Sequence, residues 1–186
     1  MGLQVEGFAI VSDDGMLADA EGVMPSELLV DADQQFLSDA LDRAAILVHG
    51  RNSHEGQTRS GHRKRLIATR SLKSTGPVDG DPNALLWNPE TLSLEDAAGR
   101  LGVHDGAAAI LGGTEVYGLF LARYDIFHLS RRPGLRLPGG RPVFPQVPGL
   151  SPEAVLEAHG LRPGKARQLD PATGASVVDW RRQGAG

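Results

Sequence analysis

Cysteine is absent from the 186-residue chain, which at once excludes disulfide scaffolds, thiolate zinc centres and cysteine nucleophiles. Six histidines occur, and only His49 and His54 are close, without the His-Glu-x-x-His spacing of a helical metal site. No GxxxxGK[ST] loop occurs, so a P-loop nucleotidase is excluded. The N-terminal stretch MGLQVEGFAIVSDDG meets charge within six residues and has no sustained apolar run, so neither a signal peptide nor a membrane span is expected, and the cytoplasm is the expected location. Charge of one sign is not in excess either. Nineteen basic against 23 acidic residues leave a net charge of −4, too little to call for a polyanionic partner, and the aromatic pattern of RNA-binding motifs is missing. No nucleic acid is expected as a partner.

What remains is ordinary globular material. Apolar residues make up 40% and charged residues 23%, with a mean hydropathy of −0.21, enough to bury a core, and the length fits a single domain over residues 1–186.

Gly7 to Ser12 is a short apolar run closed by Asp13-Asp14-Gly15 and predicts a buried strand and a turn, with a loop continuing to Pro25. Across Asp33 to Ala45, Phe36, Leu37, Ala40, Leu41 and Ala44 recur at spacings of three and four, the signature of an amphipathic helix. It feeds the continuous apolar run Ala45 to Val48, as a central parallel strand would show. Leu66 to Thr69 and Ala84 to Trp87 read as strands around a Gly/Pro/Asp-rich loop, Gly76 to Asn83. Ser93, Glu95 and Asp96 open a helix that Gly102 closes. Ala107 to Leu111 predicts a strand leading through Gly112-Gly113 into a helix over Glu115 to Ala122, and Tyr124 to Leu129 another strand. This alternation predicts an α/β fold with a mostly parallel open sheet. Beyond the Pro/Gly-rich stretch 133–150, Ser151 to His159 predicts a short helix. Ala166 to Leu169 and Ala175 to Trp180 flank a turn, an antiparallel C-terminal edge hairpin.

Three segments carry chemistry. Between Gly50 and Lys73 seven of the 19 basic residues face a single acid, Glu55. Gly50, Arg51 and Ser53 follow a strand and Thr69-Arg70-Ser71 ends the next, which suits an anion site, although a solvated basic loop fits this window as well. Gly112-Gly113 before a helix start allows close backbone approach to a phosphate, or simply a tight turn. Among the acids ahead of the first helix, Asp33 reads as a cap or dipole partner. Asp31, between apolar neighbours, is a candidate to bind an amino-pyrimidine edge and assist protonation.

In order along the chain, AIVSDDGMLA, MPSELLVD, ILVHGRNSHE, LIATRS, ILGGTEVYGLFL, YDIFHLSR and GGRPVFP resemble the dihydrofolate reductase superfamily, including the C-terminal reductase domain of the riboflavin-pathway deaminase/reductase RibD. The resemblance spans residues 7 to 145. It implies a dihydrofolate reductase-like three-layer fold, NADPH as hydride donor and a small heterocyclic substrate. It also implies a cofactor cradle of Gly50, Arg51 and Ser53, with Arg51, Thr69, Arg70 and Ser71 on the 2′-phosphate. Gly112 and Gly113 match the family's glycine pair, where a cis peptide is expected, and Thr114, Glu115, Val116 and Tyr117 match the helix start beneath the pyrophosphate. Asp14 to Ala20, with Gly15, matches the loop over the nicotinamide. On the substrate side the resemblance implies Ile10, Asp31 and Phe36, with Asp31 as the catalytic acid counted from Met24-Pro25. The spacing from acid to Phe36 fits neither Asp31 nor Asp33 without a one-residue adjustment.

Ser26 stands where folate reductases carry tryptophan and Leu29 where a second proline is expected, which counts against folate. An NADPH-dependent reductase that delivers hydride to a pteridine or a substituted pyrimidine, similar to the riboflavin-pathway 5-amino-6-(5-phosphoribosylamino)uracil reductase, is the leading expectation, with a true dihydrofolate reductase and a non-catalytic NADP-binding module as alternatives. The apolar C-terminal hairpin offers an edge through which a homodimer can form.

Overall fold

The structure, a computed structural model, describes residues 2–52 and 62–184. Its centre is a twisted sheet whose parallel part comprises β1 (Leu3–Val11), β3 (Ile46–Gly50), β4 (Arg65–Ala68), β6 (Asp81–Trp87), β7 (Gly106–Ile110) and β8 (Ile126–Arg131). The remaining strands are β2 (Met16–Ala18), β5 (Thr75–Val78), β9 (Arg141–Pro142), β10 (Leu161–Pro163), β11 (Arg167–Asp170) and β12 (Ala175–Arg182). The spatial order is β10-β12-β8-β1-β7-β3-β4-β6-β5, with β11 also paired to β12 and β2-β9 forming a separate ribbon. Antiparallel pairing is confined within this sheet to β5 at one end and β10, β11 and β12 at the other.

Side-chain alternation assigns each strand's residues to two layers. Val5, Val11, Ile46, Val48, Ala108, Ile110, Phe127 and Leu129 face α2 (Leu94–Gly99), α3 (Thr114–Leu119) and α4 (Pro152–Ala158) in the main core. The intervening positions Phe8, Leu47 and Ala109 pack under α1 (Asp31–Arg43), through Phe36, Leu37, Ala40, Leu41 and Ala44. Helices on both faces of one sheet give the expected three-layer α/β arrangement.

Several boundaries differ from expectation. β1 begins at Leu3, and α1 begins at Asp31 after a 3-10 turn at Ser26–Leu28, with Val30 as an extended N-cap that offers no side-chain cap. The Gly/Pro/Asp-rich loop contains β5, where Pro77 is tolerated because the strand is an edge. The third helix stops at Leu119 because Phe120 leaves helical torsions at φ −101° and ψ 5°. Ser93 and Ser151 cap α2 and α4 by accepting from the amides of Asp96 and Ala154. Among the described residues no helix is long and apolar enough to cross a membrane.

Candidate active site

The six parallel strands end on one edge of the sheet, where open α/β sheets place their ligands. There a cleft of about 500 Å³ opens between the sheet and α1. Its walls are mostly apolar, with Phe8, Ile10, Leu17, Phe36 and Leu111 among them, and its polar side chains include Asp33, Gln34, His49, Asn52, Tyr117, His128 and Ser130.

Among the described residues, Asp33 is the carboxylate that lines this cleft. It is 5% exposed, and the Ser130 hydroxyl, from β8, donates to it. Burial pushes the Asp33 carboxyl above its ordinary value, and the Ser130 hydrogen bond only partly opposes the rise. The expectation for Asp31 is corrected on its position: the residue is exposed and borders a smaller hollow with Ser26, Asp170 and Thr173, not the cleft. The reason is helical geometry. Two residues along an α-helix turn by about 200°, so Asp31 and Asp33 cannot share a face, whereas Phe36, three residues after Asp33, shares its face and lines the cleft.

Ile10, one of the residues the resemblance implies, lines the cleft. Gly15 is not on the cleft wall. A Cβ there would approach Pro152 Cγ and Val147 Cγ1 to 2.9 Å, so the residue is packed against the α4 side, and of the expected nicotinamide loop only Leu17 reaches the cleft.

On the opposite side the two glycine segments meet. The Gly50 amide donates to the Gly112 carbonyl at 2.8 Å, and the Gly112-Gly113 peptide is cis. Val116 packs behind Gly50 at 3.5 Å from where a Cβ would stand. Beside this junction Arg51 Nη1 lies 3.4 Å from Ser71 Oγ, which in turn is 2.9 Å from Thr69 Oγ1. Arg70 lies within ion-pair distance of Glu90 (3.2 Å) and Glu115 (3.9 Å), all with exposed side chains. Thus Gly50, Arg51, Thr69, Arg70, Ser71, Gly112, Gly113 and Glu115 are brought together. Ser53 lies outside the described residues. Thr114 is engaged internally, its hydroxyl donating to the Pro142 carbonyl. Tyr117 is buried and donates to the Phe8 carbonyl; burial, and then the Asp33 charge, push its phenol up.

His49, His128 and Ser130 were not among the expected site residues. The signal is present in β8, read as IFHLSR: Phe127 and Leu129 enter the core, so His128 and Ser130 must face the other way. His128 stacks on Phe8 at 4.6 Å and meets Phe36 edge-on at 5.6 Å. His49 Nδ1 is 2.9 Å from the Gly50 carbonyl oxygen, which accepts from the Nδ1–H tautomer.

No protein-family model matches the chain, and no curated protein sequence matches it. Solved structures do. A diaminohydroxyphosphoribosylaminopyrimidine deaminase/5-amino-6-(5-phosphoribosylamino)uracil reductase from Thermotoga maritima superposes with a TM-score of 0.66 at 13% identity over 97% of this chain. The match spans 57% of that protein's length. A putative riboflavin biosynthesis protein from Shewanella sp. PV-4 gives 0.66 at 16% identity, covering 98% of this chain and 99% of that one. Dihydrofolate reductase from Enterococcus faecalis, complexed with NADP(H) and RAB-propyl, gives 0.59 at 16% identity over 97% of this chain and 96% of its own. The chain therefore has the dihydrofolate reductase-like fold.

Proposed function

We propose that this protein is an NADPH-dependent reductase that delivers hydride to a C=N or C=O bond of a heterocycle, a substituted pyrimidine or a pteridine. The observation that carries the reading is a buried carboxyl with a raised pKa, Asp33, in an apolar cleft whose far side is the junction of Gly50 with Gly112. A carboxyl so placed binds a paired N–H edge of a nitrogen heterocycle and, where it holds a proton, can pass it toward the ring atom reduced. Asp33 replaces Asp31 in this role.

The residues fit a phosphorylated dinucleotide. Gly50 leaves its groove unfilled, where a Cβ would stand 3.5–3.8 Å from Val116, Gly113 and Gly112. Arg51, Ser71 and Thr69 form a donor cluster suited to a phosphate monoester. A nicotinamide held there would supply the hydride, and Phe8, Ile10 and Leu111 would keep water from the cleft. The riboflavin-type substrate is favoured over folate by Ser26 and Leu29, which stand where folate reductases carry tryptophan and a second proline. Comparing kcat/KM on 5-amino-6-(5-phosphoribosylamino)uracil and on dihydrofolate separates the two.

NADPH titrated into the protein should bind tightly and be oxidised only when a substrate is present. Arg51→Ala should weaken NADPH binding by about ten- to a hundredfold, the worth of a charge-assisted hydrogen bond, and NADH binding far less. Equal losses for the two dinucleotides in that titration remove Arg51 from the phosphate.

A further inference from the structure

Arg167 lies outside the cleft lining but against Phe36, which lines the cleft at the end away from the glycine junction. Its guanidinium carbon stands 6.0 Å from the centre of the Phe36 ring, and Phe36, with Phe8 and His128, forms that end's aromatic wall. The guanidinium is fixed rather than free to sweep solvent: Nη1 and Nη2 donate to Asp179 Oδ2 and Oδ1 at 2.8 and 3.2 Å. Asp179 is itself anchored. His128 Nδ1 lies 2.7 Å from Oδ1, Arg181 Nη2 lies 3.4 Å from Oδ2, and the other His128 nitrogen faces Glu6 at 3.3 Å. Burial alone would push the Asp179 carboxyl up, but the hydrogen bonds from Arg167 and His128 outweigh it and hold it below its ordinary value.

A bidentate pair uses two of a guanidinium's five N–H groups. Three donors remain on a side chain that is 51% exposed, held in one orientation beside the cleft. That is an anion receptor whose ordering cost has been met before any ligand arrives. It is also separate from the dinucleotide phosphates. β11 lies five strand positions from β3, or about 24 Å at 4.8 Å per strand, so one dinucleotide phosphate cluster cannot serve both Arg51 and Arg167.

We propose that Arg167 is a specificity-determining residue that binds an anionic tail of the substrate, a phosphate or a carboxylate, where the tail leaves the cleft past Phe36. The inference rests on the reductase reading above for the place of the heterocycle. Asp33 takes the ring, the aromatic wall of Phe8, Phe36 and His128 takes the body of the molecule, and Arg167 reads the charge at its far end.

Calorimetric titration of the protein without NADPH tests this apart from turnover. Two ligand pairs distinguish the source of the anion: 5-amino-6-(5-phosphoribosylamino)uracil against the same compound without its phosphate, and dihydrofolate against a 6-methyl-dihydropterin that has no tail. In one pair the tailed ligand should bind at least about tenfold tighter, as a charge-assisted hydrogen bond supplies. Arg167→Met should abolish that preference while leaving the tailless affinity unchanged. Arg167→Lys should retain part of it, and Arg181→Met, which removes a different partner of Asp179, should retain it in full. A preference in the first pair assigns a phosphate, in the second a carboxylate. Equal binding within both pairs, absence of binding included, or a preference that survives in a folded Arg167→Met, overturns the proposal. The NADPH titration is independent: failure there removes the reductase reading, whereas failure of the tail preference alone removes only the role of Arg167.

Discussion

Asp33→Asn should lower turnover by about a hundredfold or more and at the same time raise the melting temperature at neutral pH. The first effect follows from losing a group that can carry a proton, a contribution of roughly 10²–10⁴ where such a group acts as general acid or base. The second follows from linkage. A carboxyl whose pKa is raised by folding binds more protons in the folded than in the unfolded state, so its contribution to stability falls as pH rises from the ordinary value of 3.8 through the folded value. Above that range the fold carries a buried charge opposed only in part by Ser130. Asparagine keeps the shape and removes the charge. Melting curves of both proteins over a pH series should therefore diverge as pH rises, the variant gaining relative to the parent. A variant that melts lower than the parent at neutral pH, or that turns over normally, refutes the assignment of Asp33 as a buried working acid. Asp31→Asn, on an exposed position outside the cleft, should leave turnover nearly unchanged.

Gly112→Ala should destabilise the fold by roughly 2–5 kcal/mol, which sums a positive-φ penalty and overpacking. Gly112 has φ +89°, and a Cβ there would stand 2.4 Å from Tyr117 Cε2 and 2.8 Å from Cζ. The ring has little room to retreat, since it packs edge-on against Phe127 at 5.7 Å and Phe144 at 6.4 Å while its hydroxyl donates to Phe8. At about 2–4 °C per kcal/mol for a chain of this size, the melting temperature should fall by roughly 10 °C. Because Tyr117 and Phe8 both line the cleft, ligand affinity should fall with it. A melting temperature within about 2 °C of the parent would falsify the packing account.

The contrast between these two residues marks where sequence reading succeeds. Gly112-Gly113 is legible because Gly112 has a positive φ and a close approach to Tyr117 that a side chain resists, and a diglycine between an apolar run and a helix advertises that need. Asp33 is not legible in the same way. Asp31, Asp33 and Asp39 all lie on one helix within nine residues, and which of them turns inward depends on where the helix starts. That start was set by the 3-10 turn at Ser26–Leu28 rather than by any side-chain cap.

Local pattern by itself determined the alternation of strand and helix, the parallel character of the central strands, and the Ser93 start of α2. These depend on periodicity, capping chemistry and backbone freedom, all carried within a few neighbouring residues. Tertiary structure alone decided that Asp33 meets Ser130 across 97 residues, that His128 is clamped by Glu6 and Asp179, and that Arg167 reaches Phe36. Those meetings require strand order, register and the rotation of α1 to be fixed together, and no short window of sequence contains that information.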